Sequence, residues 1–106
     1  MSRITRLDRR LVLEEAERSP DGAGGWTVQW SAVATLWAGV EFLRGGEGLS
    51  AEAMTAAATH RVILRRRSDV TPAMRFSEGA RVLDILAVEQ EGRRWTRCLC
   101  RERSVS

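Results

Sequence analysis

Short runs of apolar, β-branched and aromatic residues, each closed by turn chemistry after about eight to twelve residues, leave this chain little choice of fold. Alternation of large and polar side chains is clearest in Trp26 to Ser31, where Trp26, Val28 and Trp30 share one face and Thr27 and Gln29 the other. The rhythm breaks once, between Arg44 and Thr59 (RGGEGLSAEAMTAAAT), where glycine and alanine replace the large apolar groups. Connections this long are uncommon in compact domains and are usually functional or disordered. The expected architecture is a single all-β domain over residues 1–106, a small antiparallel β-barrel with one long Gly/Ala-rich loop at 44–59.

The strands follow in order. Arg10 to Glu17 places Leu11 and Leu13 on one face and Val12 on the other. Ser19 to Gly25 (SPDGAGG) is hairpin chemistry, because Pro20 and Asp21-Gly22 favour a turn and glycine tolerates positive φ. It is not a phosphate-cradling loop, since neither the lysine nor the helix of that motif follows. Val33 to Leu43 continues Trp26 to Ser31 in extended form, with a bend or bulge at Trp37 and Gly39. Thr59 to Arg67, Ala73 to Phe76, Arg81 to Glu89 and Arg93 to Arg101 complete the strand set, with turns at Ser68 to Pro72, Glu78-Gly79 and Glu91-Gly92. Within the loop, Ser50 is suited to cap a two-turn helix over Ala51 to Ala58, too short to be stable alone.

Several kinds of chemistry are excluded or disfavoured. His60 is the only histidine, and no nucleophile or carboxylate stands at a recognisable distance from it, so a hydrogen-bonded strand histidine is expected rather than a catalytic base. Cys98 and Cys100 are two apart and share a strand face, poor geometry for a mutual disulfide. With only His60 to add they fall short of a zinc site and read as reduced structural thiols. No enzyme activity, metal or cofactor is expected. The start, MSRITRLDRR, lacks the apolar core of a secretory signal, and no apolar run approaches the roughly 20 residues of a membrane-spanning helix, so a soluble chain is expected with no membrane partner.

Two patterns point to macromolecular partners. All 17 positive side chains are arginine, and the formal net charge is +3. Arginine makes forked contacts to carboxylates, carbonyls and phosphates, suiting protein interfaces as well as nucleic acid. Three tryptophans, Trp26, Trp30 and Trp37, could stack on bases, but the shared face of Trp26, Val28 and Trp30 argues that the first two fill the core. The basic residues look scattered along the chain rather than laid on one aromatic face.

The ordered motifs are more specific than any one of them. Pro20-Asp21-Gly22-Ala23-Gly24-Gly25-Trp26 is followed by Val33-Ala34-x-Leu36-Trp37-Ala38 and the Gly/Ala-rich loop. Thr59-His60-Arg61-Val62, Thr71-Pro72-x-Met74-Arg75, and Arg81 with Ile85-x-Ala87-Val88 come next. From about Leu7 to Glu102 the chain resembles the head–tail joining proteins of long-tailed bacteriophages, also called head-completion or stopper proteins, including relatives in gene transfer agents. Asp84 departs from the pattern, standing where relatives look apolar or aromatic.

The resemblance implies a non-enzymatic virion protein at the head–tail interface, assembled in the bacterial cytoplasm as a homo-oligomeric ring of six or twelve copies. Such a ring sits between a portal-side adaptor protein and a tail terminator or other tail protein, closes the DNA exit channel and meets packaged DNA without sequence preference. The loop then acquires a role. Doubled back on itself it reaches about 25 Å, with Gly45, Gly46 and Gly48 as hinge and Leu49 and Met54 as contact groups of a channel gate. Arg44, Arg65, Arg66 and Arg67 are the expected inter-ring contacts. The competing expectation is a free-standing nucleic-acid-binding β-barrel.

Overall fold

The structure, a computed structural model, describes residues 6–43 and 58–103. Six strands close into one barrel: β1 (Arg9–Pro20), β2 (Trp26–Phe42), β3 (His60–Arg65), β4 (Arg75–Glu78), β5 (Arg81–Glu91) and β6 (Trp95–Glu102). They run in the order β1-β2-β3-β6-β5-β4, every pairing is antiparallel, and β4 returns to β1. The all-β barrel expected from the alternation is therefore present, and closure leaves the barrel wall without a free edge. The expected 44–59 loop and the short helix expected over Ala51 to Ala58 lie outside the described residues except at 58 and 59.

Alternation decides the interior. Leu11 and Leu13 of β1, Val62 and Leu64 of β3, Phe76 of β4, and Leu83 and Ile85 of β5 are buried around the barrel axis. Cys98 and Cys100 of β6 join them on one face, as their spacing required. Asp84, between Leu83 and Ile85, points outward, and Arg103 donates to both its oxygens at 3.2 and 2.8 Å. Asp84 thus occupies the outer wall and leaves the core alternation intact.

β2 continues past Val33 as expected, but is longer than an ordinary strand. It runs unbroken for 17 residues, and β1 for 12. β4 meets β1 only from Val12 to Glu14, and β3 meets β2 only from Ala38 to Phe42. Beyond Glu14 the two strands pair with each other alone, forming a ribbon of about 20 Å at ordinary strand rise. This ribbon accounts for the elongated shape, 51 × 27 × 25 Å. The bend lies at the ribbon's root rather than at Trp37 and Gly39: Leu13 pairs with Ala34 and Glu14 with Ala32, so Val33 is the extra residue of a bulge.

At the opposite end, a polar network ties the strand termini together. Arg9 grips Glu78 through two hydrogen bonds of 2.8 and 2.6 Å, and Arg81 reaches Glu102 at 3.1 Å. The Arg9 bond holds the Glu78 carboxyl below its ordinary pKa. His60 is buried in the same network, 4% exposed. Its Nδ1 lies 2.8 Å from Thr59 Oγ1 and its Nε2 3.0 Å from Arg81 Nη2. Arginine can only donate, so Nε2 must accept and the ring is neutral with its proton on Nδ1. Burial, then the Arg81 charge, pushes the His60 pKa down. The hydrogen-bonded strand histidine expected from sequence is the one found.

Two measurements test this core. Burial raises both thiols, Cys98 to about 12, so neither should react with a thiol reagent at pH 8 until the barrel opens, and the modification rate should track global unfolding. For His60 the unfolded chain binds the extra proton, so unfolding free energy should fall as pH drops from 7.5 to 5.5. The slope is bounded at about 1.4 kcal/mol per pH unit for one proton. His60→Gln, compared by denaturant titration, should flatten that slope; an unchanged slope would place the titrating group elsewhere.

Candidate interaction sites

Three surfaces stand out, two expected from sequence and one not. The first is the root of the 44–59 loop. Phe42, 66% exposed, ends β2 with its ring edge-on to His60 at a centroid distance of 5.4 Å. The Leu43 N–H then donates to the Thr59 C=O at 2.9 Å, while the Thr59 N–H donates to Cys100 C=O at 2.8 Å. Departure and return are therefore clamped at one point on the rim. The expected gate residues Gly45, Gly46, Gly48, Leu49 and Met54, and the interface residue Arg44, lie outside the described residues.

The second surface is basic. Arg65, Arg66 and Arg67 follow one another off the end of β3, but their roles differ. Arg67 is engaged by its neighbour, donating to Asp69 at 2.9 Å through both Nε and Nη2, which lowers the Asp69 pKa. Arg66 caps the β5–β6 turn by donating to Gly92 C=O at 2.8 Å. Arg65 is exposed, with no ion pair among the described residues. The fold adds neighbours the linear order hides. The Arg66 N–H donates to Arg94 C=O, bringing exposed Arg93 and Arg94 alongside, and Arg10 lies over Trp37 with its guanidinium 5.6 Å from the ring centroid. Trp37 is 55% exposed and walls a cleft floored by Leu36 and Leu64. Arg10 and Arg65 to Arg67, far apart in sequence, thus meet beside one aromatic ring.

The third surface corrects the sequence reading. Trp26 and Val28 are not core: they are 64% and 51% exposed. Trp30 is only partly covered, by Arg75, whose guanidinium sits 4.1 Å from its ring centroid. The alternation was real, but the strand carrying it runs past the barrel, where there is no interior to fill. A register count from the turn would have revealed this, since it pairs Trp26 with Pro20, Val28 with Arg18 and Trp30 with Ala16. The opposite face carries Glu15 and Glu17, so neither face of this ribbon could line a core.

Local chemistry keeps the ribbon in shape. Asp21 Oδ1 accepts from the backbone N–H of Ala23 at 2.8 Å and Gly25 at 3.0 Å, and these bonds lower the Asp21 pKa. Gly22 and Gly24 adopt φ of 84° and 88°, a region costly for other residues. At the root, Arg75 Nε donates to Glu14 Oε1 at 2.6 Å and Ser77 Oγ to Oε2 at 3.2 Å. An isolated two-stranded ribbon is marginal in water, so these anchors matter. Among the described residues, no group of three metal-ligating side chains comes together.

Comparison with known proteins agrees with the fold and with the resemblance. A chain from a structure described as the virion of a native gene transfer agent particle is 36% identical, superposes with a TM-score of 0.71, and is matched over 97% of this chain and 100% of its own. The solution structure of protein SF1141 from Shigella flexneri 2a is 28% identical with a TM-score of 0.80, over 99% of this chain and 100% of that one. No curated protein sequence matches significantly. The family model described as phage head completion protein matches residues 2–103, and the chain belongs to that family.

Proposed function

We propose that this protein is a structural connector of a phage-like particle, forming a homo-oligomeric ring between a portal-side adaptor and the tail. In that position it closes the DNA exit channel and offers the tail a docking surface. Family membership over nearly the whole chain supports the structural role, and its likeness to a chain of a gene transfer agent particle supports a virion setting. The observation that best supports a gate is the clamp at Leu43 and Thr59, which sets both ends of the long Gly/Ala-rich loop on one point of a rigid rim. In a cyclic oligomer such loops converge on the axis or lie over a neighbour, where copies of a marginal segment order by pairing. Gly45, Gly46 and Gly48 are the hinge and Leu49 and Met54 the contacts of this gate. Arg44, Arg65, Arg66 and Arg67 serve the rims, fixing register against acidic neighbours more than adding affinity.

A second reading, a free-standing nucleic-acid-binding barrel, is favoured by one observation: the arginines gathered around exposed Trp37. Isolated chain titrated with duplex and single-stranded oligonucleotides across salt concentrations separates the two. The connector reading expects binding no tighter than the roughly 10⁻⁶ M of non-specific contacts at physiological salt. Tight binding with a steep log–log salt slope and loss on Trp37→Ala would favour the second reading.

The gate is tested in particles. Deleting Gly48 to Thr55 removes the contacts while leaving the Leu43–Thr59 clamp. The expected result is particles that lose packaged DNA or fail to attach tails. Normal DNA retention together with normal tail attachment would show that the loop is not a gate.

A further inference from the structure

β2 keeps one edge unpaired for most of its length. From Trp26 to Trp37 it pairs with β1 alone, and β3 joins its other side only from Ala38 onward. Among the described residues, that edge therefore presents N–H and C=O groups with no strand beside them, a template for an added strand. At the Trp37 end of the edge, in the corner where β3 leaves β2, lies the cleft walled by Trp37 and floored by Leu36 and Leu64. The cleft holds about 260 Å³, below the roughly 300–1,000 Å³ of small-molecule sites and suited to one apolar side chain.

Charge around that corner is one-sided. Arg10, Arg65 and Arg66 border it, with Arg94 held next to Arg66. None of these four forms an ion pair among the described residues, whereas Arg9, Arg61, Arg75, Arg81, Arg97 and Arg103 do elsewhere. Of the nearby carboxylates, Asp69 is taken by Arg67. Asp8, which shares a hollow with Trp37 and Arg65, leaves the balance positive.

We propose that this corner binds an extended acidic segment of another virion protein. The segment adds as a strand along β2, with an apolar side chain in the cleft and carboxylates on Arg65 and Arg66. This contact rests on the connector reading and names the kind of neighbour that meets these arginines. A free backbone edge selects a peptide over duplex DNA, whose phosphates suit the arginines but offer nothing to the edge or to the apolar floor. A second copy fits less well. Its Glu15 and Glu17, without ion pairs among the described residues, stand on the polar face of the ribbon, and the apolar strip opposite carries Arg18.

The test places p-benzoylphenylalanine at Thr35, which is exposed and lies on the same strand face as Trp37, and irradiates assembled particles. The expected product joins this chain to another virion protein, within a stretch that mass spectrometry shows to hold at least two carboxylates beside an apolar residue. Arg65→Glu with Arg66→Glu should cut the yield about tenfold, and arginines in place of the identified carboxylates should restore it. Arg65→Lys with Arg66→Lys keeps the charge and should retain most of the product, which separates loss of charge from loss of fold. Four results overturn the site: attachment to DNA; attachment within this chain or to a second copy; attachment to a stretch without carboxylates; or no product in particles that contain the chain. Absence of the chain from particles would defeat the connector reading by itself. The site is then judged on purified protein with a labelled peptide, acetyl-Asp-Glu-Leu-Glu-Asp-amide. Binding about tenfold tighter than to its Asn/Gln counterpart upholds the site, and any smaller preference overturns it.

Discussion

The Glu14–Arg75 ion pair sits at the seam on which the rest of the structure depends. β4 is four residues long and joins β1 through three residue pairs, so barrel closure hangs on a short contact. At that contact Arg75 reaches Glu14 at 2.6 Å, both side chains are less than a fifth exposed, and Ser77 holds the other carboxylate oxygen. Exposed ion pairs contribute little, but a sheltered pair with its lone pairs satisfied fixes geometry. The same guanidinium covers one face of Trp30, so the group that closes the barrel also sets the base of the ribbon.

Two ends of different character follow from that seam. At one end the strand termini are bound by Arg9, Glu78, Arg81, Glu102 and neutral His60, and the long loop leaves and returns through the Leu43–Thr59 bond. At the other, β1 and β2 outrun their neighbours and carry a strip of aromatic and apolar groups into solvent. A rigid body with a clamped rim and a projecting apolar ribbon is suited to assembly, because exposed apolar groups on the projection gain by being covered. Membership of the phage head completion family gives that gain a setting.

The arginines show how a fold changes what a composition means. In sequence Arg10, Arg65 to Arg67, Arg93 and Arg94 belong to three separate strands or turns. Pairing of β2 with β1 and β3 sets Arg10 and Arg65 to Arg67 beside Trp37, and pairing of β3 with β6 brings Arg94 next to Arg66. Of the consecutive three, Arg67 is neutralised by Asp69 and Arg66 is partly used in capping a turn, which a charge run in a sequence does not reveal.

The sequence by itself determined the strand set, which side chains share a face, the structural thiols, the hairpin turn at Asp21 and the family, because period-2 alternation and turn chemistry are local and survive without tertiary information. The tertiary structure decided where the barrel stops. Alternation in Trp26 to Trp30 is identical whether a strand lines a core or leaves it, and only the lengths of the neighbouring strands tell the two apart. β3 and β4 end before they reach that segment, so the residues that read as core became surface.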